Sequence, residues 1–273
     1  MRTSCWTLVL IGLLAAPALV VAPASAQDPK ERLEKSPRHH EWVKVKHGER
    51  EVTCFVVYPE VKGKVLAMIV IHENKGLTDW VRGLADQVAE AGYIAVAPDL
   101  LSGLGPKGGN TDAFKSVGDA TKALYKLDPK QVTGDLNAVA DYAKKIPAAT
   151  GKIACCGFCW GGGQSFRFAT NRPDLSAAFV FYGPGVMTKA EAEKVNCPVF
   201  GFYGGNDERI NATIDTSKNA MKAAGKRYEP VIYEGAGHGF MRAGEEAGAS
   251  AANRDGRNTA WERWKGLLKD IAK

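Results

Sequence analysis

The sequence is poor in several features that would assign a chemistry directly. It has no second C-x-x-C motif and no histidine beside the Cys155–Cys159 cluster, so its cysteines do not have the spacing of a tetrahedral zinc site. It has no run of basic residues interleaved with aromatics. Its 36 Lys and Arg are spread along the chain and leave a formal charge of +6, which describes a mildly basic solvated surface and not a nucleic-acid-binding face. Beyond the N-terminus no apolar stretch is long enough to span a bilayer, and no internal repeat is visible. What remains is ordinary: 45% apolar and 24% charged residues in a chain of 273. Such a chain buries a substantial core without staples.

The N-terminus does not read as part of the fold. Arg2 is followed by an apolar stretch from Trp6 to Val21 and by small residues at Ala24, Ser25 and Ala26. This is the layout of a cleaved signal peptide, residues 1–26, with the mature chain starting at Gln27. A membrane anchor is the alternative, and Pro17 and the A-S-A ending argue against it. The expectation is an exported protein, periplasmic or secreted, with no membrane attachment after cleavage. Cys54, Cys155, Cys156, Cys159 and Cys197 then remain. An odd count in an exported chain leaves at least one thiol free or paired with another chain. Cys155 and Cys156 are neighbours on a predicted strand, so they point to opposite faces.

Apolar, β-branched runs alternate with helical patterns over the rest of the chain. Residues 51–59 alternate as a strand does. Residues 64–73, "KVLAMIVIHE", form a nearly continuous apolar run, as in a strand buried on both faces. Residues 79–92 have helical spacing at Val81, Leu84, Val88 and Ala91, with Asp79 as a cap and Gly92 as a stop. Further strands are predicted at "YIAVAPDL", "KIACCGFC", "AAFVFYG", "PVFGFYGG" and "YEPVIYEGAG". Helices are predicted at 135–146, from Gly161 onward, at 210–224 and at 254–272. Residues 27–40 read as a polar, poorly ordered lead-in, and 101–112 as a long Gly-rich loop of the kind that often carries function. The alternation predicts one α/β domain over residues 27–273, a mostly parallel central sheet with helices on both faces.

Four segments fall at predicted carboxyl ends of strands, where such sheets bind ligands. They are "HEN", "GFCWGG", "GGNDER" and "GAGHGF". Gly157-Phe158-Cys159-Trp160-Gly161 fits G-x-S-x-G with Cys in place of Ser, a tight strand-to-helix turn that exposes the nucleophile. The helix N-terminus beyond it favours thiolate over thiol. A buried inert cysteine is the competing reading. Asp207 and His238 follow in the order nucleophile, acid, histidine. An imidazole holds the thiolate or shuttles its proton, and a carboxylate fixes the imidazole's tautomer. Asp207 as a helix cap and His238 as a solvated loop residue are the bland alternatives. Glu73 ends an apolar strand, where a carboxylate needs a partner. The backbone N–H groups of Asn74 and Trp160 are candidate oxyanion donors.

In this order and within this length, the four segments resemble the dienelactone hydrolase family of α/β-hydrolases, over roughly Glu51 to the C-terminus. The resemblance implies an α/β-hydrolase fold and a Cys159–His238–Asp207 triad. It implies that Glu73 interacts with the thiol, that Arg242 binds a substrate carboxylate, and that Tyr182 lines the site. The implied activity is cleavage of a carboxylic ester or lactone through a thioester, with no cofactor or metal; the expected partner is a small-molecule substrate and the expected state a monomer. The family's second arginine, shortly after P-D-L, has no counterpart: Gly103 stands at about that place. Two other functions are compatible with the residues, a non-catalytic binding protein and a thiol oxidoreductase using Cys156 and Cys159.

Overall fold

The computed structural model describes residues 28–273; the predicted signal peptide lies outside the described residues. One sheet has eight strands: β1 (His40–His47), β2 (Arg50–Val57), β3 (Val65–Ile71), β4 (Ile94–Pro98), β5 (Ala149–Phe158), β6 (Leu175–Phe181), β7 (Val199–Gly204) and β8 (Tyr228–Tyr233). Their spatial order is β1-β2-β4-β3-β5-β6-β7-β8. β1 and β4 run antiparallel to β2, and the six strands β3 to β8 run parallel. The helices are α1 (Pro29–Lys35), α2 (Asp79–Glu90), α3 (Val117–Leu124), α4 (Pro129–Lys145), α5 (Trp160–Ala169), α6 (Lys189–Ala192), α7 (Glu208–Asn211), α8 (Ile214–Ala223), α9 (Phe240–Ala243) and α10 (Ala251–Ala272).

The period of two along β5 builds both cores. Ile153 and Cys155 enter one core with apolar residues of α4, α5 and α8. Ala154, Cys156 and Phe158 enter the other, with α2 and α10. The prediction that Cys155 and Cys156 part company therefore holds. At the carboxyl end of the sheet, Phe158, Phe181 and Phe202 stack at 4.6 and 4.2 Å, and Trp264 of α10 meets Phe181 edge-on at 5.0 Å. All four are buried, each worth roughly 1.5–3 kcal/mol of transfer free energy. This block fixes the strand ends from which the site is built.

Four expectations need correction. Residues 28–40 are not a loose lead-in: they hold α1 and the start of β1. The buried carboxylate of Asp86 in α2 accepts hydrogen bonds from Ser36 and Arg38 and pairs with His40. Burial opposes ionisation of Asp86, but those partners overcome it and hold its pKa below the usual range. Asp79 is not the cap of α2; Thr78 precedes the helix and Asp79 is its first residue. The helix predicted over 135–146 starts earlier, at Pro129, where the Asp128 side chain caps it. The helix predicted over 210–224 is two, α7 and α8, because the Thr213 backbone and hydroxyl both turn back to the Ile210 carbonyl.

Candidate active site

Register places the predicted segments together. Ile71 of β3 pairs with Gly157 of β5, and Phe158 pairs with Phe181 of β6. Cys159 follows at φ 56° and ψ −116°, a backbone state that costs about 1–3 kcal/mol and persists only where the surroundings impose it. The surroundings are crowded backbone. A Cβ on Gly157 would lie 1.9 Å from the Gly161 carbonyl oxygen, and one on Gly161 would lie 2.3 Å from that of His72. The glycines are there so that α5 can start directly against β3 and β5. The Cys159 N–H donates to the Phe181 carbonyl at 3.0 Å, which ties the turn to a third strand. Cys159 is partly exposed, whereas Cys54, Cys155, Cys156 and Cys197 are buried.

His238 lies in the loop after β8 and Asp207 in the loop after β7. His238 Nδ1 bonds Asp207 Oδ2 at 2.5 Å, which leaves Nε2 for another partner. Asp207 occupies the position before α7 but makes no side-chain cap bond there, so the bland reading of it as a cap does not describe it. His238 is only about one-third exposed and is not a freely solvated loop residue. Its pKa is raised to about 9, first by the facing Cys159 side chain and then by Asp207, against the opposing effect of burial. The thiol makes no fully aligned hydrogen bond among the described residues, a looseness common before substrate tightens a site.

Glu73 is nearly buried, and its side chain is engaged by Arg242: Nε donates to Oε2 at 3.1 Å. Arg242 also donates to Glu246 at 2.9 Å. Among the described residues the Glu73 side chain has its hydrogen bond with Arg242. Tyr182, at φ 41°, stands edge-on to His238 at 5.2 Å, and its buried hydroxyl has no hydrogen-bond partner. The N–H groups of Asn74 and Trp160 donate to no acceptor among the described residues. The sequence reading passed over His72. Its Nδ1 donates to the Glu73 carbonyl at 2.7 Å and its Nε2 accepts from the Leu100 N–H at 3.2 Å. Burial pushes its pKa down, and both bonds require the neutral ring. The imidazole also stacks on Trp160, 5.7 Å between centroids. His72 thus fixes the turn carrying Glu73 and Asn74 against the residue after the elbow. Its only trace in the sequence is its place at the end of the β3 run, in "HEN".

The family model described as Dienelactone hydrolase family matches residues 52–272. The chain belongs to the dienelactone hydrolase family. A Yersinia pestis protein provisionally named carboxymethylenebutenolidase is 31% identical over 202 residues, covering 70% of this chain and 74% of that one. A Klebsiella pneumoniae structure provisionally described as a dienelactone hydrolase superposes with a TM-score of 0.73 at 26% identity, covering 85% of this chain and 98% of that one. A dienelactone hydrolase-like promiscuous phosphotriesterase from metagenomic libraries also reaches 0.73, at 20% identity, covering 86% and 99%; that likeness speaks to the fold alone. The fold is that of the α/β-hydrolases, and the protein is a hydrolase of the dienelactone hydrolase type.

Within this family member, Cys159, Trp160, Tyr182 and His238 line a cavity of about 540 Å³. Arg242 and Glu73 are not among its lining residues. A larger cavity, about 780 Å³, lies beside β1 and β2 and holds none of these groups. Gly103, Gly108 and Gly109 line that second cavity, while Leu101, at the start of the same loop, packs in a cluster with Trp160. Asp99 pins this loop by accepting from the backbone and hydroxyl of Thr111 at 2.8 Å. Cys156 is fully buried, its thiol pushed well up by burial, which leaves the C-x-x-C without a second accessible sulfur. Among the described residues no group of three His, Cys, Asp or Glu is placed to hold a metal, and no helix is long and apolar enough to cross a membrane.

Proposed function

We propose that the protein cleaves a carboxylic ester or lactone through a thioester on Cys159. The observation that carries this reading is the imidazole of His238, held through Nδ1 by Asp207 and lining the same cavity as Cys159. His238, whose raised pKa favours its protonated form, holds the thiol's proton as the sulfur bonds to the carbonyl carbon. The N–H groups of Asn74 and Trp160, free of other acceptors, receive the oxyanion. When the tetrahedral adduct collapses, the C–O bond breaks and His238 returns its proton to the leaving alkoxide. Water, deprotonated by His238, then displaces the sulfur from the thioester. A substrate carboxylate reaching Arg242 would compete with Glu73. The displaced Glu73 would be a second base for the thiol. No step calls on a metal or organic cofactor. The protein is proposed to act as a monomer after export, with the leader removed before Gln27.

The test is hydrolysis of p-nitrophenyl acetate, with mass spectrometry of the chain quenched in mid-turnover. An acyl adduct on Cys159 is expected. Cys159→Ala should abolish turnover and Cys156→Ala should not. Turnover that survives in Cys159→Ala would remove the nucleophile from the scheme, and equal loss in both variants would favour the redox alternative.

A further inference from the structure

The cavity beside Cys159 extends far beyond the sulfur. It is lined by Trp160, Gly163, Gln164, Arg167 and Thr170 of the α5 region, a set with the spacing of one helix face. It therefore follows α5 from the elbow to its far end, a rise of about 15 Å. Three cations from different elements line it: Arg167 of α5, Lys194 after α6, and Arg209 of α7. Arg209 and Lys194 have no salt-bridge partner among the described residues, and Arg167 donates only to the Pro129 carbonyl. The acid on the same wall, Glu191, is occupied by the backbone of Met187 and by Thr188. The Gln164 side-chain oxygen, also on this wall, is buried without a partner. Val186 and Ile210 supply apolar surface between the polar groups. Arg242, by contrast, is already doubly ion-paired.

We propose that this cavity selects esters or lactones bearing an anionic group at the end of an apolar arm, with Arg209 its principal anchor, supported by Lys194 and Arg167. Arg167 is eight residues beyond Cys159, about 12 Å of helix rise, and helical side chains lean back toward the N-terminus. An anion that also reaches Arg167 therefore sits on the order of 10 Å from the scissile carbonyl, well beyond the reach of a carboxylate carried on the lactone ring itself. This specificity rests on the hydrolase reading, and the two fail separately in the following experiment.

Turnover of the mono-p-nitrophenyl ester of suberic acid is compared with that of its methyl-capped, neutral form and with the succinic monoester. The wild type should favour the suberic anion over the capped ester by about tenfold in kcat/KM and show no such gain for the shorter succinic anion. Arg209→Gln should bring the suberic ratio near one, and Arg242→Gln should leave that ratio in place. A wild-type ratio near one, or a ratio retained in Arg209→Gln, overturns the proposal. Calorimetric binding of suberate and of octyl phosphate reads the subsite without turnover, and the tighter of the two identifies the head group. Suberate bound by the wild type and lost in Arg209→Gln, with p-nitrophenyl acetate untouched, would keep the subsite and remove the hydrolase reading. Acetate turned over while neither anion binds would do the reverse.

Discussion

The molecule contains two aspartate–histidine pairs of the same outward form. Asp207 Oδ2 meets His238 Nδ1 at 2.5 Å beyond β7 and β8; across the sheet, beside its opposite edge strand β1, Asp135 Oδ1 of α4 meets His47 Nδ1 at 2.9 Å. Both carboxylates are buried, and both imidazoles are between one-third and two-fifths exposed. The third partner separates them. Asp135 gives its second oxygen to Arg50 Nε at 2.9 Å, and that guanidinium goes on to the Leu100 and Ser102 carbonyls. Its charge is spent on stitching β2 to α4 and to the loop after β4. Asp207 has no arginine, and its charge is directed through the imidazole toward Cys159. The pair alone therefore says nothing of chemistry; what faces its far side decides.

The sharpest way to break this contrast is to neutralise each aspartate in turn. Asp207→Asn should lower kcat for ester hydrolysis at least about a hundredfold, since the imidazole loses its orienting charge, with little change in Tm. Asp135→Asn should leave kcat of the folded enzyme in place and lower unfolding free energy by about 3 kcal/mol, because Arg50 loses a buried partner. Steady-state kinetics beside urea unfolding would read both. Loss of activity in Asp135→Asn at unchanged stability would erase the distinction.

A subtler effect is the titration of His238, followed by NMR of its ring protons. In the wild type the midpoint should lie near 9. Cys159→Ala removes the largest cause and should lower it most; Asp207→Asn should lower it less. The sign for stability follows from the raised value. Whatever the charged imidazole adds to folding is complete below about 6.5, the unfolded-state value, and disappears as pH rises through 9. A midpoint insensitive to the cysteine would mean that the sulfur does not face the ring.

The smallest expected effect lies at the structural pair. A Cβ on Gly134 would lie 2.0 Å from His47 Cε1, but that imidazole is free to swing away. Gly134→Ala should gain about 1 kcal/mol of helix propensity and lose about as much from the His47–Asp135 bond. The net change by urea unfolding should stay within about 1 kcal/mol. The same substitution at Gly161 meets main-chain atoms that cannot move, and no such cancellation is available there.

What the sequence could and could not reveal follows the same division. The central strands were readable because "VLAMIVI" and "IACCGF" are buried on both faces and need no partner to announce themselves. The elbow was readable because close backbone contact leaves only glycine. β1, "HEWVKVKH", was not assigned: it is a half-exposed edge strand, ordered by pairing with β2. The Asp86 clamp, the ion pair of Glu73 with Arg242 and the convergence of Arg167, Lys194 and Arg209 were out of reach for a different reason. Each joins residues tens to well over a hundred positions apart, and nothing in the local pattern of either partner records the other.

The four sealed thiols have a consequence for the life of the site. Were the sulfur of Cys159 oxidised to the sulfenic state, rescue within the chain would require a neighbouring thiol to close a disulfide with it. Cys156 is three residues away and belongs to the core against which Cys159 packs, but its side chain is fully buried within β5. Damage at that single atom has no internal repair, and the working span of each molecule is set by how long its cavity stays occupied or its surroundings stay reducing.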